Sequence, residues 1–231
     1  HGPCVVDPLD SRCGDEARLM ARSIDWPVIQ ASDRRAGFEL AMAGTVAGDV
    51  ILLEDAHQTA GVPRHRDCVI VDRWQHEDDR TEVAAGKLIP WGPYREDASG
   101  ADRADLLLCE RTDGLVQPPP SSPDRPVLVF RRSGAAPAAA LDCISPYGVV
   151  SGLARPEGFE ATCRSLMGRS PAVVVRLDDH APFTPADVSA LLRSGEGEGV
   201  VRWLTSGKDH GKLAPLWSGP PDLHEVGLSL E

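Results

Sequence analysis

The apolar run Val50-Ile51-Leu52-Leu53 ends in two adjacent acids, Glu54 and Asp55. A short apolar run bounded by turn signals reads as a buried strand. Ligands in open α/β sheets gather beyond the carboxyl ends of strands. Mg2+ is held by one or two carboxylates completed by substrate phosphates, so the pair suits a metal–phosphate site. A strand that simply meets water at its end has the same composition. Further polar groups stand at Gly14-Asp15-Glu16, Gln58, Arg95-Glu96 and Asp178-Asp179-His180. Phosphoryl transfer needs a base or water-positioning group, carboxylates for Mg2+, and cations for the developing charge. These positions supply each type. Asp15 beside His180 would be a base whose partner tunes its proton affinity. Lys208 and Arg95 could meet phosphate, the arginine with bidentate geometry. Each also has a plain reading: acids favour a helix N-terminus, Arg95-Glu96 can be a solvated pair, and Lys208-Asp209 is ordinary turn composition.

The elements that must position these groups alternate. Cys4-Val5-Val6 reads as a short strand, and a helix runs from Gly14 to about Ile24. Pro27-Val28-Ile29 is a short strand, and Ser32 or Asp33 caps a helix from Arg34 to Ala43. Strands follow at 50–53, 68–71 and 104–109, with a helix over 97–103 before the last of them. A Pro-rich stretch, 113–126, reads as a linker or long loop. Beyond it come strands at 127–130, 148–150, 172–177 and 199–204 and helices at 156–167 and 185–192. Thr184-Pro185-Ala186-Asp187 is a helix start with Thr at the cap and Pro at the first turn. This β-α-β-α order predicts an α/β protein of two Rossmann-like α/β/α units with mainly parallel sheets. The units expected are 1–112 and 127–231, joined by 113–126.

A formal net charge of −11 argues against broad nucleic-acid binding, where a basic surface supplies most of the affinity. Six cysteines at 4, 13, 68, 109, 143 and 163 form no CxxC and no zinc spacing, which favours reduced thiols in a cytoplasmic setting. No apolar run approaches the ~20 residues of a membrane helix. A hydrolase elbow of the GxSxG type is absent. The phosphate-cradling GxxxxGK[ST] loop is also absent from the 231 residues. The sequence starts at His1 without Met, which reads as a processed, trimmed or partial product.

Taken in order, several segments resemble the tetraacyldisaccharide 4'-kinase (lipid A 4'-kinase) family over about residues 13–213. Gly14-Asp15-Glu16-Ala17 matches its Gly-Asp-Glu-Pro, and Glu54 to Thr59 its Asp-Asp-Gly-Leu/Phe-Gln-His. Ile89 to Glu96 matches Leu-Pro-x-Gly-Pro-x-Arg-Glu. Ser151 to Thr162 matches Ala-Gly-Ile-Gly/Ala-x-Pro-x-x-Phe-x-x-Thr, and Asp179 to Val188 matches Asp-His-x-x-Phe-Thr-x-x-Asp-Val/Leu. Ser206 to Lys212 approximates Thr-Glu-Lys-Asp-Ala-Val-Lys. The departures are Glu54, Ala56, Thr59 and Gly207, where the family has Asp, Gly, His and Glu.

The resemblance implies a P-loop-kinase-related fold and transfer of the ATP γ-phosphoryl group, with Mg2+, to the 4'-hydroxyl of a lipid-linked glucosamine disaccharide. It implies catalytic roles for Asp15 and His180, metal-side roles for Glu54 and Asp55, substrate contacts for Gln58, Arg95 and Glu96, and a nucleotide-side role for Lys208. Family members carry an N-terminal membrane-associating helix and a P-loop upstream of the matched region. The expectation is therefore a kinase homologue without that segment, cytoplasmic or peripheral at the inner membrane face. Its partner would be the lipid-linked disaccharide, or a protein that supplies or replaces the segment. The alternative expectation is a non-catalytic, kinase-derived subunit that binds a partner.

Overall fold

The computed structural model describes residues 2–71, 88–92, 95–110, 125–141, 144–154, 156–178 and 183–230. The chain divides into two compact units, one of residues 1–3, 31–132 and 230–231 and the other of 4–30 and 133–229. This packing boundary differs from the division read along the sequence. Residues 4–30 join the second unit because β1 (Cys4–Val5) pairs antiparallel with β2 (Ile29–Gln30), and the helix between them, α1 (Asp15–Ser23), packs in that unit.

The first unit holds helix α2 (Arg34–Gly44) and a three-stranded parallel sheet, β3 (Cys68–Val71), β4 (Leu106–Glu110) and β5 (Val127–Phe130). Asp33 caps α2 by accepting from the amides of Arg35 and Ala36. In the sheet Val69, Leu107 and Val127 lie in register, and with Cys109 they pack on Ala101 and Ala104. Ala98–Arg103, expected as an α-helix, is a tighter 3-10 segment whose start is fixed by Asp97 accepting from the Ser99 amide. The strand expected at 50–53 is not formed. Val50 and Leu52 are exposed, Ile51 and Leu53 are half-buried, and the segment joins no sheet. A run apolar on both sides needs neighbours on both faces to become an interior strand, and among the described residues none covers Val50 and Leu52.

The second unit is built on a five-stranded sheet in the order β6-β10-β9-β7-β8. Its strands are β6 (Arg132–Ala135), β7 (Tyr147–Ser151), β8 (Val173–Arg176), β9 (Arg202–Ser206) and β10 (Asp222–Leu230). From β10 across to β8 every pairing is parallel. Both faces of the central strands are covered. Tyr147, Val149 and Leu204 pack with Cys163 and Met167 of α3 (Pro156–Met167). Val150 and Trp203 pack with Val188 and Leu191 of α4 (Pro185–Glu196) and with Leu213 of α5 (Gly207–Leu213). The Thr184–Asp187 start of α4 is a reciprocal capping box. The segment 207–212, expected as a Gly-flanked loop, is helical. Ser206 accepts from the Asp209 amide at the helix start, and Leu213 is fully buried, anchoring the far end. These contacts outweigh the weak helix propensity of Gly207 and Gly211. The five described cysteines (4, 13, 68, 109 and 163) are free thiols.

One ion pair ties α3 to the sheet edge. Glu160, 5% exposed, receives Arg176 Nε and Nη2 at 2.7 and 3.1 Å. The Arg176 hydrogen bonds hold the Glu160 carboxyl below the ordinary glutamate range against the opposing effect of burial. A depressed folded-state pKa contributes stability that is present above the unfolded-state value and is lost as pH falls through the folded one. Glu160→Gln should therefore lower the urea midpoint at pH 7. The gap from wild type should close as pH drops below the ordinary glutamate range. A gap that stays constant with pH would remove this pair from the acid response.

Candidate active site

Each unit carries one cluster of the residues singled out by sequence. In the second unit, Asp15 is the first residue of α1, following Gly14 at the cap position. Gly14 is tethered by its amide, which donates to Gln30 Oε1 at 2.8 Å. The Asp15 side chain is 15% exposed, and Lys212 Nζ and Lys208 Nζ approach its Oδ2 at 2.8 and 3.7 Å. Both lysines are nearly as enclosed, at 17% and 11%. They lie on one face of α5 because residues four apart on a helix are neighbours. Lys208 thus stands beside a carboxylate in this unit.

The scaffold under this cluster is Asp209, which is 1% exposed. Its Oδ2 accepts from the Gly152 amide at 2.9 Å and from the Ser206 hydroxyl at 2.8 Å. The loop after β7 is thereby fastened to the start of α5. A glycine keeps this approach close, since a Cβ on Gly152 would stand 3.2 Å from the Asp178 carbonyl and 3.3 Å from Asp209 Oδ1. Segments far apart in sequence, around residues 15, 152 and 206–212, are held together by these bonds. His180 lies outside the described residues, as does Asp179.

In the first unit, Glu54 and Asp55 sit in a turn, with Asp55 in the left-handed region at φ 48°. Asp tolerates that conformation better than most side chains. Arg34 clamps the turn from α2, donating to the Glu54 carbonyl at 2.6 Å and to the Asp55 carbonyl at 3.4 Å. Arg64 holds the following stretch through the carbonyls of Ala56 and Thr59 at 3.1 and 2.5 Å. Arg95 Nη1 meets both carboxylate oxygens of Asp55 at 2.7 Å, and this bonding raises the guanidinium pKa. Gln58 donates to Glu96 at 2.6 Å, and Arg103 reaches the other Glu96 oxygen at 2.6 Å. Burial pushes the Glu96 carboxyl up, but the bonds from Arg103 and Gln58 outweigh it and hold the pKa below the usual range. His57 Nε2 is 2.9 Å from the Gly100 carbonyl and 3.9 Å from Glu96.

Six of the eight predicted residues therefore fall into three associations: Asp15 with Lys208, Asp55 with Arg95, and Gln58 with Glu96. Lys212, Arg34, Arg64 and Arg103 were not singled out. Lys212 had a signal, its spacing of four from Lys208, which carries meaning only once 207–213 is a helix. The three arginines bond to carbonyls or to a distant acid and have no local pattern.

The donors at Glu54 and Asp55 suit a hard cation on chemical grounds. Both are carboxylates, and the Asp55 side chain is 48% exposed. Among the described residues no group of three or more candidate ligands occurs. Carboxylates are the donor type of a cation such as Mg2+, whose other ligands are phosphate oxygens and water, and both Asp55 oxygens here face Arg95.

Comparison with known proteins places the chain. The family model described as Tetraacyldisaccharide-1-P 4'-kinase matches residues 2–226. The tetraacyldisaccharide 4'-kinase of Rhodopseudomonas palustris (strain BisA53) is 31% identical over 243 residues, covering 99% of this chain and 65% of that protein. The enzyme of the same name from Parvibaculum lavamentivorans is 31% identical, covering 100% of this chain and 66% of its own length. The chain thus spans a little under two thirds of these relatives. A crystal structure described as the "apo" form of LpxK from Aquifex aeolicus in complex with ATP superposes with a TM-score of 0.65 at 22% identity, over 94% of this chain and 64% of that one. That likeness bears out the α/β fold with parallel sheets. By the extent of the family match and the identity of its relatives, the chain belongs to the tetraacyldisaccharide-1-P 4'-kinase family.

Proposed function

We propose that this chain transfers the γ-phosphoryl group of ATP to the 4'-hydroxyl of a lipid-linked disaccharide 1-phosphate. The observation that carries the reading is the enclosed Asp15–Lys208–Lys212 cluster at the start of α1, in a chain of this family. Asp15 is the proton acceptor for the attacking hydroxyl, and His180 is its proposed partner. The two ammonium groups fix the carboxylate and supply positive charge where phosphate oxygens gather, which is the main demand of a loose phosphoryl-transfer transition state. Glu54 and Asp55 would hold Mg2+, which when bound neutralises phosphate charge. Arg95 orients Asp55 through Nη1, which meets both carboxylate oxygens, and Glu96, kept ionised, offers remaining lone pairs as acceptors for sugar hydroxyls while Gln58 donates to it. No described helix is long and apolar enough to cross a membrane. The lipid acceptor nevertheless implies work at the inner membrane face.

The test is transfer of labelled γ-phosphate from ATP to tetraacyldisaccharide 1-phosphate in Mg2+ by the native gene product, alone and mixed with a separately supplied P-loop protein. Labelled tetraacyldisaccharide bisphosphate is expected. Lack of product in both arms overturns the proposal, and Mg-ATP binding without product would leave the acceptor assignment wrong.

A further inference from the structure

A cavity of about 470 Å3 opens in the second unit between α1 and α5, and Asp15 is not part of its lining. Its titratable lining comes from Arg18, Arg22, His210 and one acid, Glu225, and Leu19, Ala214 and Pro215 form apolar wall. The volume is within the range of small-ligand pockets, about 300–1,000 Å3.

The charge balance of this pocket is uneven. His210 Nδ1 already faces Glu225 Oε2 at 3.4 Å. Arg18 and Arg22 make no ion pair within 4.0 Å among the described residues, and Asp10, whose carboxyl feels the Arg18 charge, is itself held by Arg12 at 2.7 Å. Arg18 Nε is buried and has no hydrogen-bond partner. The Arg22 guanidinium has a single long contact, to the Gly207 carbonyl at 3.5 Å. A buried donor without a partner is costly, and the group that would repay that cost is an acceptor entering the pocket.

At one position the helix is cut back beside a guanidinium group, that of Arg22. Gly207 and Gly211 are one turn apart on α5. A Cβ on Gly211 would collide with the Arg22 guanidinium, and one on Gly207 would stand 3.1 Å from Leu19 and 2.6 Å from Glu225. Two glycines in a seven-residue helix cost about 1 kcal/mol each relative to Ala. At Gly211 the missing side chain leaves the space that the Arg22 guanidinium occupies.

We infer that this pocket binds a phosphate dianion through Arg18 and Arg22. Paired guanidinium groups match phosphate oxygens bidentately, and the two positive charges of Arg18 and Arg22 exceed the single negative charge of Glu225 in the lining. The apolar wall accommodates an organic group carried on that phosphate. The sources are a sugar 1-phosphate head group and free inorganic phosphate. This site is separate from the Asp15 cluster and stands whether or not the chain transfers phosphate.

The test is isothermal calorimetry on the 231-residue chain with glucosamine 1-phosphate, inorganic phosphate and neutral glucosamine. Saturable binding of a phosphate, with none for glucosamine, is expected, weakened at least ten-fold by Arg18→Gln and by Arg22→Gln. Gly211→Ala is the decisive variant. It raises helix propensity, so folding is not at risk, yet its methyl displaces the Arg22 guanidinium and should weaken binding about as much as Arg22→Gln. Tighter binding of the sugar phosphate names a head group as the source, and tighter binding of inorganic phosphate names the free ion. Absence of saturable binding at millimolar phosphate, or affinity unchanged in all three variants, overturns the site.

Discussion

Asp15→Asn should reduce kcat for phosphoryl transfer by about 10²–10⁴-fold, the range expected when a positioned acid–base group is lost, while KM for the acceptor changes little. The substitution keeps size and shape. The amide oxygen can still accept from the Glu16 amide, as Asp15 Oδ1 does at 3.1 Å, so the start of α1 stays as it is. What disappears is the proton acceptor and the charge that Lys212 and Lys208 face at 2.8 and 3.7 Å. Asp15→Glu should not rescue, because the extra methylene drives the carboxylate into lysines whose own side chains are only 11% and 17% exposed. Lys212→Met should lie between, lowering kcat by removing the group that holds the carboxylate. The measurements are initial rates against acceptor concentration, with near-UV circular dichroism as the folding control. A fall in kcat of less than ten-fold for Asp15→Asn, with the fold intact, would take Asp15 out of the chemistry.

Local signals were legible where one short stretch of chain settles the outcome by itself. Asp33 caps α2, and Thr184, Pro185 and Asp187 start α4, because capping is decided within four residues. The parallel sheets followed from β-α alternation. Where partners come from elsewhere, the reading changed. Val50-Ile51-Leu52-Leu53 has the composition of an interior strand, yet a strand exists only through a neighbour's hydrogen bonds, and the run joins no sheet. The acids after it are placed instead by arginines from other parts of the unit, Arg34 on the backbone and Arg95 on the Asp55 carboxylate. Helix α5 was hidden for the opposite reason. Its glycines argue against a helix, and it is secured by Asp209, whose bond to Gly152 spans 57 positions. The pairing of Lys212 with Asp15 depends on that helix, which sets Lys208 and Lys212 on one face. Residues 4–30 joined the second unit through contacts of α1 that no local pattern announces.

The largest effect on stability is expected at Trp203, which is fully buried in β9. Its indole packs among Val150, Val188, Leu191 and Leu213 and meets Trp217 edge-on, with ring centroids 6.5 Å apart. Two glycines create the slot. Gly148 is its register partner on β7, where a Cβ would stand 2.6 Å from the ring, and a Cβ on Gly195 of α4 would be 3.1 Å away. Trp203→Ala should therefore cost about 3–5 kcal/mol, through lost burial and the cavity left behind. Trp203→Phe should cost much less, since it retains a ring and removes an indole N–H that is buried without a partner. Coupling to Gly148 provides the sharper test. In the wild-type background Gly148→Ala should be destabilising by about 1–3 kcal/mol through overpacking, whereas beside Trp203→Ala the added methyl enters vacated space and should cost little or even stabilise. A double-mutant cycle by urea denaturation measures this, and simple additivity would mean that the ring and the glycine are not matched in the way described. The consequence extends to the chemistry. Trp203 lies three residues before Ser206, the cap of α5, so a slackened β9 releases the helix that brings Lys208 and Lys212 to Asp15. Trp203→Ala should accordingly lower phosphoryl transfer although the residue itself touches none of the reacting groups, and Trp203→Phe should restore most of it.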